Sequence, residues 1–175
     1  MVMGLRLQGT AVELKTMAPG DGAVLKTLLS HPEVKPHIQL RQGAASQQGV
    51  PDQLVKRMLH GYDPCALHAG IYMKDQPELI GTVSLQNWNR HEGKALLGYM
   101  LNPLWWGRGF ATEAVGLLLA YGFREQGLLK VEGRCRGDNS RSEKVMLRSG
   151  LTLERILPMP GSPDDVMKVF TLLHN

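Results

Sequence analysis

Residues Leu101–Ala114 read LNPLWWGRGFATEA. An apolar run ends at Asn102-Pro103, and two glycines, Gly107 and Gly109, then deliver the chain into a long amphipathic segment. Its apolar residues Ala114, Val115, Leu117, Leu118, Tyr121 and Phe123 recur at helical spacing, and Gly127 is the expected stop. A helix start leaves four backbone N–H groups without intrahelical partners and carries a partial positive charge, so this turn suits a phosphate. Ordinary turn chemistry is the competing reading. No GK[ST] follows, so this is not a P-loop, and GxGxxG is absent, so it is not a dinucleotide fingerprint.

On the C-terminal side, Leu128–Cys135 reads as a strand. Asp138-Asn139-Ser140 then caps a second helix carrying Val145, Met146 and Leu147 and stopped by Gly150. Two final strands are expected at Leu151–Leu157 and Val166–Leu173, with Pro158–Asp165 between them. On the N-terminal side, Thr10–Lys15 alternates as a first strand. Asp21 is placed to cap a helix over Ala23–Leu29 that ends before His31-Pro32. An irregular, Gln-rich stretch runs from His31 to Gln48, and Asp52 is placed to cap a helix through Leu54, Val55, Met58 and Leu59. Ala66–Met73 and Glu78–Leu85 form a hairpin across Lys74-Asp75-Gln76-Pro77. A polar loop, Gln86–Lys94, leads into the strand Ala95–Leu101. One strand–helix–strand crossover inside an antiparallel meander predicts an α/β fold on a mixed sheet.

The 175 residues contain 43% hydrophobic and 21% charged residues, which fits one domain over 1–175 with its own core and excludes a disordered chain. Cys65 and Cys135 are far apart, and the six histidines show no ligand spacing, so neither a disulfide framework nor a metal site is expected. No run approaches the roughly 20 apolar residues of a membrane span, and the start is not a signal peptide, so the expectation is a soluble cytoplasmic protein without a membrane partner. The net charge of +4 suggests an anionic partner. Residues 124–148 concentrate it: seven basic side chains against four acidic give +3. No aromatic-and-basic strand or recognition helix accompanies that charge, so nucleic acid is not expected.

Jointly, the two glycine-and-asparagine segments resemble the GCN5-related N-acetyltransferase (GNAT) superfamily. Its signature is Gln/Arg-x-x-Gly-x-Gly/Ala at a helix start, then a strand, then Asn-x-x-Ala/Ser. Here Trp106-Gly107-Arg108-Gly109-Phe110-Ala111 is the first motif, with Trp106 at the Gln/Arg position, and Asn139-Ser140-Arg141-Ser142 is the second. Leu79-Ile80-Gly81, Leu97-Gly98-Tyr99-Met100-Leu101-Asn102-Pro103 and Thr112-Glu113-Ala114 look most like the branch of ribosomal-protein N-terminal acetyltransferases. The resemblance spans roughly residues 8–173. It implies a mostly antiparallel sheet of about seven strands flanked by about four helices and splayed at an acetyl-CoA site.

It also implies roles for individual residues. The backbone N–H groups of Arg108, Gly109, Phe110, Ala111 and Thr112 would hold the coenzyme's pyrophosphate. The exposed backbone of Gly98, Tyr99, Met100 and Leu101, together with Asn139, would meet the pantetheine arm. Arg141 and Lys144 would meet the adenosine phosphates, with a solvated helix face as the competing reading. Many relatives protonate the departing thiolate with a Tyr seven residues after the Asn, where this chain has Met146. Ser142 is the candidate general acid instead, against the reading of a first-turn hydroxyl bonded to backbone. The carboxylate that relatives carry two residues before Gly98 is replaced by Leu96. Glu92 and His91, in the loop before that strand, are the candidate bases, with a solvated loop as the alternative. Glu113 is read as complementing the helix dipole.

Trp88, Trp105 and Trp106 are candidates to line an acceptor pocket or a homodimer interface; for Trp106, packing beneath the glycine-rich loop is preferred. The expected activity is acetyl transfer to a primary amine by direct attack, with coenzyme A as product. The acceptor would be a protein N-terminus, a ribosomal protein's for example, or a small amine such as an aminoglycoside, polyamine or amino acid. A non-catalytic acyl-CoA-binding module is the alternative. At neutral pH an α-amine (pKa near 7.7–8.0) is partly neutral while a lysine amine (near 10.4) is not, so the lack of an evident base favours an α-amine.

Overall fold

The computed structural model describes residues 4–37, 52–60, 62–63 and 65–174. Among them, nine strands and four α-helices follow one another. The strands are β1 (Arg6–Gln8), β2 (Val12–Lys15), β3 (Tyr62–Asp63), β4 (Ala66–Met73), β5 (Leu79–Asn89), β6 (Lys94–Leu101), β7 (Lys130–Arg136), β8 (Thr152–Met159) and β9 (Ser162–Leu173). The helices are α1 (Gly22–Leu29), α2 (Asp52–His60), α3 (Phe110–Glu125) and α4 (Ser140–Arg148). Eight strands run in the order β1-β2-β4-β5-β6-β7-β9-β8, and β3 pairs beside β4. All pairings are antiparallel except β6–β7, which is parallel and joined by α3. The two strands beyond the expected seven are β1 and the two-residue β3. Both are too short to show alternation in sequence.

Apolar side chains cover both sheet faces because alternate strand residues point opposite ways. On β4, Ile71 joins Leu14, Val83, Leu85 and Leu97 under Val115 and Leu118 of α3. Its neighbour Tyr72 joins Leu25, Leu29, Leu54, Met58 and Leu79 on the α1–α2 side.

Several boundaries differ from the expectation. β5 continues to Asn89 through the segment expected as a polar loop; Trp88 is only 2% exposed, and its burial carries the strand past Gln86. The last hairpin is tight, turning between Met159 and Ser162 with Gly161 at φ +75° rather than through an eight-residue connection. Asp21 stands at the N-cap of α1 but makes no side-chain capping bond there. Its carboxylate instead accepts from Ala18 N (2.9 Å) and Tyr72 Oη (2.6 Å). Beyond His37 the Gln-rich stretch lies outside the described residues, as does the side chain of Asp52.

Glu113 does more than complement a dipole. From the first turn of α3 its carboxylate accepts from the backbone N–H groups of Thr10 (3.0 Å), Ala11 (3.1 Å) and Val12 (2.7 Å). It thereby ties the β1–β2 turn to α3 and fixes where that helix begins. Hydrogen bonds to a charged group contribute about 1.5–3 kcal/mol net. Glu113→Ala is expected to lose about 2 kcal/mol of stability, lowering the thermal midpoint by about 4–8 °C for a chain of this size. An unchanged midpoint in calorimetry would refute the clamp.

Tyr72 is 2% exposed. Burial first, then its bond to the Asp21 carboxylate, push the phenol's pKa far above its ordinary value. Because the folded state disfavours the ionised phenol, its contribution is complete below the unfolded pKa of about 10 and is lost as pH rises above it, at about 1.4 kcal/mol per pH unit. Thermal melts between pH 9 and 11 should show a steeper loss of stability for wild type than for Tyr72→Phe. Parallel slopes would contradict this.

Candidate active site

The backbone sets up the site before any side chain does. β6 and β7 pair only from Lys94↔Lys130 to Leu97↔Gly133. Beyond that point β6 stays bonded to β5 as far as Leu101, and β7 stays bonded to β9 as far as Arg136. The sheet therefore opens as a wedge along Gly98–Leu101, whose β7-facing edge has no strand partner.

Two helix starts close the mouth of this wedge. α3 is capped by Gly109 at φ +83°, and Gly107 also has a positive φ, +78°. A side chain in that left-handed region costs about 1–2 kcal/mol. A Cβ added at either position would meet nothing within 4 Å, so open space lies over the turn. The first intrahelical bond of α3 runs from Glu113 N to Gly109 O (3.0 Å). Phe110, Ala111 and Thr112 thus carry N–H groups that the helix itself does not satisfy. α4 is capped by Asn139, whose Oδ1 accepts from Ser142 N (3.1 Å).

A cavity of about 530 Å³ lies between these elements. Tyr99, Met100 and Leu101 of β6 line it, with Trp106, Gly107 and Gly109 of the turn and Phe110, Ala111 and Thr112 of α3. Asn139, Arg141, Ser142 and Lys144 complete the set expected there, while Gly98 and Arg108 do not line it. The Arg108 guanidinium lies over the Trp105 ring at 5.4 Å, on the exposed side of the turn. The Trp106 indole N–H donates to Leu101 O (2.8 Å), and the Arg141 guanidinium stacks on its ring at 3.6 Å. Trp106 therefore braces the turn and steadies a cation at the rim. The one carboxylate lining the cavity, among the described residues, is Glu33.

Tyr99 and Ser142 meet inside the cavity. The Tyr99 phenol donates to Ser142 O (2.9 Å) and lies 2.5 Å from Ser142 Oγ, a contact in which either oxygen can donate. Ser142 is thus bonded both within its own helix start and to a phenol from β6.

Glu92 and His91 sit in the β5–β6 turn at the opposite end of β6, and both are exposed. Glu92 pairs with Lys94 (3.5 Å). At about 3.3 Å per strand residue, Glu92 is about 20 Å from Tyr99, and the structure does not bring it or His91 to the cavity. Trp88 is also elsewhere, buried in the core beneath the Arg90 guanidinium (3.6 Å). Trp105 does line the cavity.

Two residues at the cavity had no local signal in the sequence. Glu33 and His37 come from the segment after α1, where no periodicity marks a site. His37 Nδ1 lies 3.1 Å from Asn139 Nδ2, although 102 residues separate them. Among the described residues no group of His, Cys, Asp and Glu side chains could hold a metal ion, and no helix is long and apolar enough to cross a membrane.

The acetyltransferase (GNAT) domain family matches residues 12–152. The N-acetyltransferase p20 of Bacillus licheniformis is 32% identical over 135 residues, 76% of this chain and 74% of that protein. The ribosomal-protein-serine acetyltransferase of Escherichia coli is 32% identical over 82 residues, 47% of this chain and 46% of that protein. The chain spans about half the length of several other curated relatives it matches. In fold, it is similar to the spermidine N-acetyltransferase of Vibrio cholerae, solved with CoA and spermine. That superposition has a TM-score of 0.79 at 17% identity and covers 94% of this chain and 96% of the other. With its family match extending from β2 to the start of β8, the chain belongs to the GNAT family of acetyltransferases.

Proposed function

We propose that this protein transfers the acetyl group of acetyl-CoA to a primary amine, and that the acceptor is an α-amine of a peptide N-terminus or of a small molecule. The observation that carries the proposal is the wedge between β6 and β7, which opens onto a glycine-capped helix start and a hydroxyl pair. A pyrophosphate fits the open, N–H-lined turn at Gly107–Thr112, where a Cβ added at Gly107 or Gly109 would meet nothing within 4 Å. Arg141, Lys144 and Arg148 supply positive charge on the α4 side. An extended, amide-bearing arm fits the unpaired backbone edge of Gly98–Leu101 as an added strand would.

The coenzyme supplies an activated thioester; this chain's residues position it and manage one proton. As the amine nitrogen bonds to the carbonyl carbon and the C–S bond breaks, Ser142 Oγ–H donates to the departing sulfur. As it does so, the Tyr99 phenol, 2.5 Å away, turns its single proton from Ser142 O to Ser142 Oγ. The attacking nitrogen's proton leaves to water, and the phenol regains its own from solvent. In this reading a phenol would serve the thiol end, although Met146 occupies the family's tyrosine position. General-acid assistance of this kind contributes about 10²–10⁴-fold.

Among the described residues the cavity is lined by one carboxylate, Glu33, and one imidazole, His37, whose Nδ1 faces the Asn139 amide; so sparse a set of bases supports an acceptor that needs little deprotonation. At pH 7.5 about a quarter of an α-amine with pKa 8.0 is neutral, against about one lysine amine in a thousand. The comparison proteins whose names specify an acceptor include a ribosomal-protein-serine acetyltransferase and a spermidine acetyltransferase. The first supports a peptide α-amine; the second acts on an alkyl amine, the rival acceptor class that an amine panel separates.

Thiol release from acetyl-CoA, measured across N-terminal peptides, amino acids, polyamines and aminoglycosides, should show turnover with α-amines exceeding that with ε-amines. A reversed order would overturn the α-amine assignment, and no thiol release with any amine would leave a non-catalytic binding module. With the best amine, Ser142→Ala is expected to lower kcat about 100-fold and Tyr99→Phe about 10-fold. Their KM for acetyl-CoA should stay within about threefold of wild type, since neither change removes a phosphate contact. Unchanged kcat in Ser142→Ala would eliminate it as the acid.

A further inference from the structure

His37 and Asn139 join the two sides of the cleft, and the chemistry of their contact fixes the state of the histidine. The Asn139 amide cannot be reversed freely, because its Oδ1 caps α4 by accepting from Ser142 N (3.1 Å). Its nitrogen therefore faces His37 Nδ1 at 3.1 Å. An amide nitrogen only donates, so Nδ1 must accept, and the proton of the neutral ring sits on Nε2. Nδ1 is then engaged and cannot serve as the base for the amine.

The segment that carries His37 is itself anchored. Val34 N and Lys35 N both bond to His31 O (2.9 Å each), His37 N bonds to Val34 O (3.1 Å), and Val34 is 4% exposed in the α1–α2 core. The histidine is a fixed post against which the amide is held. Protonating it would set an N–H against an N–H. Turning the amide to relieve that would put its NH₂ against Ser142 N and uncap α4. Among the described residues, the charged and titratable side chains that line the cavity with it are Glu33, Tyr99 from β6, and Arg141, Lys144 and Arg148 from α4, with His31 and Lys35 nearby on its own segment.

We propose that neutral His37 is a positioning residue that locks the Asn139 amide, and with it the start of α4, in the orientation that receives the coenzyme. Protonation of His37 releases that lock and weakens coenzyme binding at mildly acidic pH. This rests on the coenzyme assignment above and adds a residue and a pH dependence to it.

The test is the Kd of coenzyme A, without any amine, measured by titration calorimetry at pH 7.5 and 5.5 for wild type, His37→Asn and His37→Phe. Asparagine offers an amide oxygen where Nδ1 stood and does not titrate. His37→Asn should bind as wild type does at pH 7.5, and wild type should lose about fivefold more affinity than His37→Asn on going to pH 5.5, the size of one lost hydrogen bond. Any titration of the coenzyme's own phosphates is common to all three proteins and cancels in that comparison. His37→Phe should bind about fivefold more weakly than wild type at pH 7.5. Equal pH dependence in wild type and His37→Asn, or wild-type affinity in His37→Phe at pH 7.5, would overturn the lock while leaving the coenzyme assignment standing. Absence of binding in all three at both pH values would instead overturn the coenzyme assignment and the lock with it.

Discussion

Everything at the cleft follows from the short parallel pairing of β6 and β7, which stops after Leu97↔Gly133. Each strand remains bonded to its outer neighbour beyond that point, so the two halves of the sheet stay rigid while they part. The parting leaves a row of backbone donors and acceptors on Gly98–Leu101 that no strand satisfies, and such groups require partners. It also makes room for two helix starts at the mouth of the wedge. Glu113 fixes one of them against the β1–β2 turn, and Asn139 caps the other. A clamp 100 residues away in sequence thus helps set the place where a pyrophosphate would bind.

The modest positive charge takes on meaning only in three dimensions. Of the basic side chains between 124 and 148, Lys130 faces Glu154, Arg134 faces Glu132, and Arg136 faces Asp138 and Asp165. Arg141, Lys144 and Arg148 are the ones that line the cavity, and Arg141 is steadied on Trp106. The local excess that composition places in residues 124–148 resolves into a rim of three cations on α4. Surface pairing accounts for three of the others.

The fold was legible wherever a local pattern repeats. Period-2 and period-3.6 apolar spacing marked the seven longer strands and the four helices. Gly107, Gly109 and Asn139 marked the two helix starts that matter. β1 and β3 lacked enough residues to alternate, and the strand through Trp88 was hidden because its polar neighbours resemble a loop until the indole's burial is known. The residues that meet across the cleft were less accessible to sequence reasoning. Nothing near Tyr99 indicates that its hydroxyl reaches Ser142, and nothing near His37 indicates Asn139. Those contacts exist because the wedge brings distant segments together. Glu92 and His91 show the reverse: close to β6 in sequence, they are carried about 20 Å from the cavity by the extended strand.

The most direct test of this account is a crystal structure of the protein with coenzyme A bound. The pantetheine arm is expected to lie between β6 and β7 against the backbone of Gly98–Leu101, with the pyrophosphate on the N–H groups that begin α3 and the thiol beside Ser142. Coenzyme A bound anywhere else, or β6 and β7 closing together beyond Leu97 with no ligand between them, would contradict it.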